Sequence, residues 1–246
     1  MNKPSVLDNH VDDHVDDEIR LCLSDASPKC FFMFAGAGSG KTRSLVDALK
    51  FLKETRGEEY RRLGKRVAVI TYTNAASDEI QNRIQHDPIF HVSTIHSFLW
   101  MLISGFQRDI KTWLKLHIQE KISEVDSKIA KARQTTLAKY EEEKSNYEKS
   151  LAQIDQIQQF QYNPNGNNAS KESLSHSQVI KMATDFIREK KTMQRLLINQ
   201  FPILFIDESQ DTKKELVDAI MEVHNSFKDS EASCISVGRE DLVLGV

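Results

Sequence analysis

A glycine-rich segment, Ala35-Gly36-Ala37-Gly38-Ser39-Gly40-Lys41-Thr42, constrains this chain more than any other feature. An apolar run at 30–34 predicts a buried strand before it, and the helical spacing of apolar residues at 44–52 predicts a helix after it. Glycines let backbone N–H groups converge on an anion, with the positive end of the following helix behind them. The context therefore predicts a phosphate-binding loop, the alternative being a glycine-rich turn without such a role.

Within this loop the two last residues have distinct predicted roles. The Lys41 ammonium would reach the β- and γ-phosphates of ATP, and the Thr42 hydroxyl would bind Mg²⁺. An alanine, Ala35, occupies the place of the usual first glycine. The predicted ATP-binding residues are Ala35, Gly36, Ala37, Gly38, Ser39, Gly40, Lys41, Thr42 and Arg43.

A second candidate segment follows the apolar strand Ile203–Ile206. Asp207 would hold Mg²⁺ through its water shell, and Glu208 would orient and deprotonate the attacking water. Gln210 would contact the γ-phosphate or that water. Lys41, Asp207, Glu208 and Gln210 are thus the predicted catalytic residues, and Thr42 and Asp207 the metal ligands. An acidic pair after a strand can also be an ordinary solvated turn.

Composition restricts the class of protein. The 246 residues suffice for one α/β core with an insertion, and the net charge of −3 provides no general attraction to nucleic acid. The acidic N-terminus is unlike a signal peptide, and no apolar run has the length of a membrane span. Three widely spaced cysteines predict reduced thiols. We therefore expect a cytoplasmic protein without membrane contact.

The remaining periodicities predict an alternation of strands and helices. Arg66 to Thr71 is apolar enough to be a strand buried on both faces, with Tyr72 at its carboxyl end, and Thr94 is a predicted N-cap. Helices are predicted at 12–23, 42–54, 77–85, 94–103, 175–199 and 215–227. Further strands are predicted at 90–93 and 234–237. Residues 58–62 are predicted to form a charged connection, and residues 163–170 a flexible polar loop.

A long segment, residues 106–163, contains neither glycine nor proline. Its apolar residues recur at three- and four-residue steps in a coiled-coil-like pattern. One continuous helix, on the order of 80 Å at about 1.5 Å per residue, and an antiparallel hairpin breaking at Thr135-Thr136 are equal candidates. Ten basic and nine acidic residues between Gln107 and Phe160 favour a solvated structural arm over a nucleic-acid patch.

Four segments together resemble motifs I, Ia, Ib and II of the N-terminal motor domain of UvrD/Rep-type superfamily 1 DNA helicases. They are Phe31–Thr42, Ala68–Arg83, Val92–Phe98 and Leu204–Thr212, in the order of the family. The resemblance implies a RecA-like P-loop NTPase fold of the α/β class, with a parallel sheet, helices on both faces and a long helical insertion. It implies first and second parts of this domain at 1–105 and 200–246, with the insertion at 106–199.

In this family, motifs Ia and Ib line the path of single-stranded DNA. The resemblance therefore implies DNA contacts by Tyr72, Thr73, Asn74, Thr94, His96, Ser97 and Phe98. An aromatic face can stack on any base, and small polar groups can bind phosphates. Tyr72 and Phe98 are equally credible core residues, and His96 can equally be a buried, hydrogen-bonded histidine.

The expected function is an ATP- and Mg²⁺-dependent DNA helicase motor that moves 3′ to 5′ on single-stranded DNA or a 3′-tailed duplex. The adenine-recognition glutamine upstream of motif I is missing, and 238–244 matches motif III poorly. No second motor domain follows, so we expect weak hydrolysis by a truncated chain, or completion in trans by another chain. Alternatives are a nucleotide-gated DNA-binding or regulatory module with impaired ATPase, or a P-loop ATPase using its helical arm for protein contacts.

Overall fold

The computed structural model describes residues 13–24, 41–166, 168–170, 172–207, 214–227 and 234–237. The sequence predictions for 1–11, for the strand at 30–34 and for 238–244 lie outside these residues. In chain order the elements are α1 (Asp13–Ser24), α2 (Lys41–Leu63), β1 (Val67–Thr71), α3 (Asn74–Arg83), β2 (Phe90–Thr94), α4 (Ile95–Ile103), α5 (Gln107–Ile129), α6 (Gln134–Ile154), α7 (His176–Glu189), α8 (Lys191–Gln200), β3 (Ile203–Ile206), α9 (Lys214–Phe227) and β4 (Cys234–Val237).

The chain divides into two compact units. Met1–Phe98 and Thr184–Val246 form the sheet unit, and Leu99–Ala183 forms the helical unit. The boundaries fall within α4 and α7, whereas the sequence predicted an insertion at 106–199.

The sheet unit contains a four-stranded parallel sheet in the order β2-β1-β3-β4. Val67 is in register with Phe90 on one side and with Ile203 on the other. Every residue of β1 is buried, which explains why its sequence is a continuous apolar run rather than an alternating one. The predicted α/β fold with a parallel sheet is therefore confirmed.

One face of the sheet is covered by helices α1, α2 and α3. Alternate strand residues point to this face and form a single apolar cluster with residues of the three helices, including Ile19 and Leu23 of α1, Leu45, Leu49 and Leu52 of α2, and Ile80 of α3. The residues between them point to the opposite face. One of these is His91, whose ring lies 6.0 Å from that of Phe98 and 5.6 Å from that of Phe201. Helical segments thus contribute to the core on both faces, as in RecA-like P-loop NTPases.

Helix α2 is longer than the sequence predicted. It continues through the charged stretch 58–62 to Leu63, because Tyr60 is buried in the apolar cluster. Gly57 is also buried, and a Cβ there would make ordinary van der Waals contact with the Ile89 side chain at 3.7 Å, so the packing does not require a glycine at this position. The residue after the helix is Gly64, whose φ of +67° is the left-handed conformation that commonly follows a helix C-terminus.

In the helical unit, the glycine-free segment forms two helices, α5 and α6, and not one continuous helix. Ion pairs join Lys144 to Asp126 at 2.7 Å and Lys115 to Asp155 at 2.6 Å, a pattern that only antiparallel helices produce. The chain breaks at 130–133 instead of at Thr135-Thr136. Thr136 belongs to the first turn of α6, where its hydroxyl donates to the Arg133 carbonyl at 3.1 Å.

Two other predicted segments differ in detail. The helical region 175–199 is two helices interrupted at Lys190, where the Gln194 amide donates to the carbonyls of Ile187 and Arg188 at 2.9 and 3.0 Å. The polar loop at 163–170 was predicted to be flexible, but its described residues form a hydrogen-bonded turn. The Asn163 N–H donates to the Asn168 side chain at 2.8 Å, and that side chain donates back to the Asn163 carbonyl at 2.9 Å.

An ion-pair cluster around Asp87 fixes the C-terminal half of α2 against the turn before β2. The Asp87 carboxylate is 8% exposed and lies 2.9 Å from both Lys53 and Arg61, and it accepts from the Ile89 N–H at 3.1 Å. Burial alone would raise the pKa of Asp87, but these hydrogen bonds and charges lower it below its ordinary value. The two preceding residues, Gln85 and His86, have positive φ angles, and their N–H groups donate to the carbonyls of Asn82 and Gln81.

We predict that Asp87→Asn lowers the free energy of unfolding at pH 7 by about 1–2 kcal/mol. The expected loss is limited to this range because both cationic partners are more than 40% exposed, so that solvent screens the ion pairs. Because the folded-state pKa is the lower one, the native carboxylate stabilises the fold above the unfolded pKa of about 3.9 and loses this effect as the pH falls through the folded value. Urea denaturation at several pH values should show the two proteins converging in acid.

Asp47→Asn is the matched control for this prediction. Asp47 lies on the same helix and pairs with Lys50 at 3.1 Å, but that lysine is 58% exposed and one turn away. Its substitution should change the free energy of unfolding by less than about 0.5 kcal/mol. Equal effects of the two substitutions would contradict an anchoring role for Asp87.

Candidate functional site

The carboxyl ends of three parallel strands meet at one edge of the sheet. Thr71 of β1 is in register with Thr94 of β2, and Ile70 of β1 with Ile206 of β3. Tyr72, Ile95 and Asp207 follow directly after these strands. Open α/β sheets bind ligands at this edge, so most of the candidate residues in the described structure are brought to the position where a site is expected.

The predicted nucleotide side begins at the first turn of α2. Helix α2 starts at Lys41, directly after the glycine-rich segment, and no acidic residue lies in its first turn. Its positive end is therefore not neutralised and is suited to an anion. Thr42 is half-buried, whereas Arg43 is exposed, with its guanidinium 3.9 Å from Asp47. The loop at 35–40 and the Lys41 side chain lie outside the described residues.

The direction of α2 places this first turn toward the same edge. The helix ends at Leu63, four residues before the amino end of β1, and its residues Leu45, Leu49 and Leu52 all contribute to the cluster on the sheet. A helix that covers the sheet and ends near the amino end of a strand begins toward the carboxyl ends. From this direction we expect the first turn of α2, with Thr42, on the side of the sheet from which Asp207 emerges.

The predicted acidic side begins at Asp207. Its backbone N–H donates to the Ile70 carbonyl at 2.8 Å, which continues the pairing of β1 and β3 by one residue and fixes where Asp207 leaves the sheet. Glu208 and Gln210 lie outside the described residues. Among the residues that are described, no cluster of three or more His, Cys, Asp or Glu side chains is arranged to hold a metal ion. A Mg²⁺ ion bound by Thr42, Asp207, phosphate and water does not need such a cluster.

The residues after β1 form a rigid turn that exposes an aromatic ring. Thr73 caps α3 by accepting from the Ala76 N–H at 3.2 Å, and Asn74 is the first residue of that helix. The buried hydroxyl of Thr71 donates to the Thr73 carbonyl at 3.0 Å. Tyr72 between them is 47% exposed. Tyr72 is therefore a surface residue and not a core residue.

Sequence reasoning missed the positioning role of Thr71. Thr71 is 1% exposed, and its hydroxyl donates its hydrogen bond to the Thr73 carbonyl in the turn that carries Tyr72. The available signal was a polar residue at the end of an otherwise apolar strand. A second positioning contact, from the Gln81 amide to the Val92 carbonyl at 2.9 Å, joins α3 to β2. It links the two predicted DNA-contact segments, and periodicity gave no sign of it.

The residues after β2 divide into capping and core roles. The Thr94 oxygen accepts from the Ser97 N–H at 3.4 Å, and the two hydroxyls are 3.0 Å apart, so the predicted N-cap is present. His96 is half-buried. Phe98 is fully buried, with its ring 5.3 Å from that of Phe201, so the core alternative for Phe98 is the one that its surroundings support.

His91 of β2 lies beneath these aromatic rings. Burial, together with the nearby charge of Arg66, lowers the pKa of His91 below its ordinary value. Its Nε2 is 3.2 Å from the Ser93 hydroxyl, so a neutral ring has a polar partner. At neutral pH, His91 is therefore an uncharged side chain that packs against the rings of Phe98 and Phe201.

Fold and site together define the class of a RecA-like P-loop NTPase domain. The chain belongs to the AAA domain family, which matches residues 21–241. It is also similar to the Gabija protein GajB of Bacillus cereus (strain HuB5-5), with 23% identity over 247 aligned positions covering 74% of this chain. The match covers 36% of the length of GajB.

The described part of the chain contains no helix with both the length and the apolar character needed to cross a membrane. Among the cysteines, the described thiol of Cys22 is free.

The two predicted aromatic contacts should differ sharply in their effect on stability. We predict that Phe98→Ala lowers the free energy of unfolding by about 3–5 kcal/mol, because it removes a fully buried ring. Tyr72→Ala should change it by less than about 0.5 kcal/mol, because the ring is 47% exposed. Urea denaturation followed by circular dichroism measures both, and similar losses would contradict the assignment of Phe98 to the core and Tyr72 to the surface.

Proposed function

We propose that this chain is the ATP-binding motor domain of a superfamily 1 DNA helicase of the UvrD/Rep type. The observation that carries the proposal is that α2, which follows the glycine-rich loop in sequence, packs on the parallel sheet whose strand β3 leads directly into Asp207. Family membership supports the use of a nucleotide and Mg²⁺. The order of the four motifs supports the narrower assignment.

In the proposed site, ATP lies with its phosphates on the loop Ala35–Gly40 and the first turn of α2. Lys41 binds the β- and γ-phosphates, Arg43 flanks the same turn, and the Thr42 hydroxyl and Asp207 hold Mg²⁺. Glu208 activates the attacking water and Gln210 senses the γ-phosphate. The absence of acidic residues from the first turn of α2 favours binding of a polyanion there.

In the proposed DNA interface, single-stranded DNA follows the carboxyl edge of the sheet. Tyr72 stacks on a base, and Thr73, Asn74, His96 and Ser97 contact the backbone, with Thr94 ordering the second loop. Phe98 supports this loop from the core instead of touching DNA. ATP turnover at the adjacent site then drives translocation, with the 3′-to-5′ direction resting on the resemblance alone. A second motor domain or another chain completes the nucleotide site.

Calorimetry with Mg·ATP tests the nucleotide site. We predict that Lys41→Ala weakens binding by about 10- to 150-fold, which corresponds to the loss of a charged hydrogen bond worth about 1.5–3 kcal/mol. Lys50→Ala is the matched control, since Lys50 lies on the same helix, is 58% exposed and should leave the affinity unchanged. Equal ATP affinity of the native chain and Lys41→Ala would overturn the proposal.

Fluorescence anisotropy with a labelled single-stranded oligonucleotide tests the DNA interface. We predict that Tyr72→Ala weakens binding by about 5- to 150-fold, as expected for a stacking contact of about 1–3 kcal/mol. Leu63→Ala is a suitable control, because Leu63 is 49% exposed and lies near the amino ends of the strands. Unchanged affinity of Tyr72→Ala and of a Tyr72→Ala/His96→Ala double variant would favour a P-loop ATPase that uses its helical arm for protein contacts.

A further inference from the structure

Two segments of the sheet unit carry positive charges without any negative one. Between Arg61 and Arg66, and between Lys190 and Gln200, the sequence has seven lysines and arginines and no aspartate or glutamate. The whole chain has 33 basic and 36 acidic residues, so segments of this size would ordinarily contain both signs. The positive charge is therefore a local feature that the net charge of −3 does not reveal.

The two segments meet at the amino edge of the sheet. The Arg66 N–H donates to the Gln200 carbonyl at 2.8 Å. Directly after this contact the chain enters β1 at Val67 and, two residues beyond Phe201, β3 at Ile203, and these two strand residues are in register. The positive segments thus lie at the end of the sheet opposite the carboxyl edge, where the proposed nucleotide and DNA sites are placed.

The exposed face of α8 extends the positive charge away from this contact. Lys191, Arg195 and Asn199 recur at intervals of four residues and are exposed, whereas the opposite side of the helix is buried. At about 1.5 Å per residue, Arg195 lies about 8 Å and Lys191 about 14 Å along the helix axis from Gln200. The charges therefore form a row and not a single point.

Five of the seven cations have no anionic partner among the residues that the structure describes. Arg61 is excluded because it pairs with Asp87, and Lys190 because its ammonium lies over the Phe186 ring at 5.0 Å. Four of the remaining five side chains are exposed, and the lysine next to Gly64 is half-buried. We call these five residues the basic strip: Arg62, Lys65, Arg66, Lys191 and Arg195.

The backbone that carries three of these cations is fixed by hydrogen bonds. The Gly64 N–H donates to the Arg61 carbonyl at 3.4 Å, and the Lys65 N–H donates to the Tyr60 carbonyl at 2.9 Å. This pair of bonds is the Schellman motif that ends a helix. Because the next residue is bonded to Gln200, a ligand would have to order side chains but not the chain itself, which lowers the entropy cost of binding.

Nearby carboxylates do not cancel the charge of the strip. Glu58 and Glu59 lie about one turn before Arg62 on α2 and contribute two negative charges, but neither forms an ion pair with Arg62. The segment 228–233, which precedes β4 and lies outside the described residues, has one lysine, one aspartate and one glutamate and hence a net charge of −1. Three negative charges against five positive ones leave the strip positive.

The chemistry of the strip restricts what it can bind. It contains no aromatic ring, whereas grooves for single strands combine positive charge with rings on which bases stack. The neighbouring Leu63 is 49% exposed, but one leucine does not make the apolar centre that a protein interface requires. A row of arginines and lysines on a fixed backbone matches a stiff and regular polyanion, and duplex DNA carries about one negative charge per 1.7 Å of its axis.

We propose that the basic strip binds the phosphate backbone of duplex DNA without reading its sequence. The guanidinium groups donate paired hydrogen bonds to phosphate oxygens, and the lysines contribute point charges. The strip lies at the opposite edge of the sheet from Tyr72 and Asp207. Binding there requires neither ATP nor the proposed single-strand contacts, so this proposal does not rest on the proposed motor function.

Fluorescence anisotropy with a short, labelled, blunt-ended duplex tests the proposal, in the absence of nucleotide and over a series of salt concentrations. We expect Arg66→Gln/Lys191→Gln/Arg195→Gln to bind the duplex about tenfold or more weakly than the native chain at low salt. The slope of log affinity against log salt should decrease by about one for each phosphate contact removed. Lys191→Gln/Arg195→Gln, which leaves the start of β1 intact, should decrease the slope by about two and decides the matter if circular dichroism shows that the triple variant is not folded.

Two controls separate the strip from general charge and from the single-strand contacts. Arg20→Gln/Lys50→Gln/Lys149→Gln removes the same number of exposed positive charges outside the strip and should bind the duplex as the native chain does. Tyr72→Ala should also bind the blunt duplex normally, because the strip does not use that ring.

Three results would overturn the proposal. They are equal duplex affinity of the native chain and both strip variants, equal losses in the triple strip variant and the triple control variant, and strip variants that bind labelled poly-glutamate more weakly while binding the duplex normally. The last result would indicate an acidic protein partner instead. None of these results would alter the outcomes expected for Lys41→Ala with ATP or for Tyr72→Ala with single-stranded DNA, so the failure of this proposal and that of the motor function are distinguishable.

Discussion

The parallel pairing of β1 with strands on both sides is the constraint on which the rest of the sheet unit depends. All five residues of β1 are buried, so its polar backbone must be paired with β2 and β3. A shift of either neighbour by one residue would turn its apolar side chains to the wrong face. The same register sets the level at which Tyr72, Ile95 and Asp207 leave the sheet, so packing and site geometry are fixed together.

Helix α2 transmits this order to the proposed nucleotide site. Its middle is fixed by apolar contacts with the sheet, and its C-terminal half is fixed by the ion pairs of Lys53 and Arg61 with Asp87. A 23-residue helix fixed at its middle and in its C-terminal half has little freedom to tilt, so these contacts also set the direction of its first turn.

The features that were predictable from sequence are those encoded locally. The apolar run at 66–71 and the cap at Thr94 specify a strand and a helix start by short-range physics. The length of α2 was not predictable, because the burial of Tyr60 depends on tertiary neighbours. Phe98 and Tyr72 were equally plausible contacts, since periodicity does not reveal which ring the fold covers.

Exposure of Tyr72 has a physical consequence that Phe98 does not share. A ring that is 47% exposed contributes little to packing, yet the backbone on both sides of it is hydrogen-bonded through the Thr71 hydroxyl and the Thr73 cap. Local order without burial is unusual for an aromatic side chain and is expected where a ring must meet a ligand in a preset position.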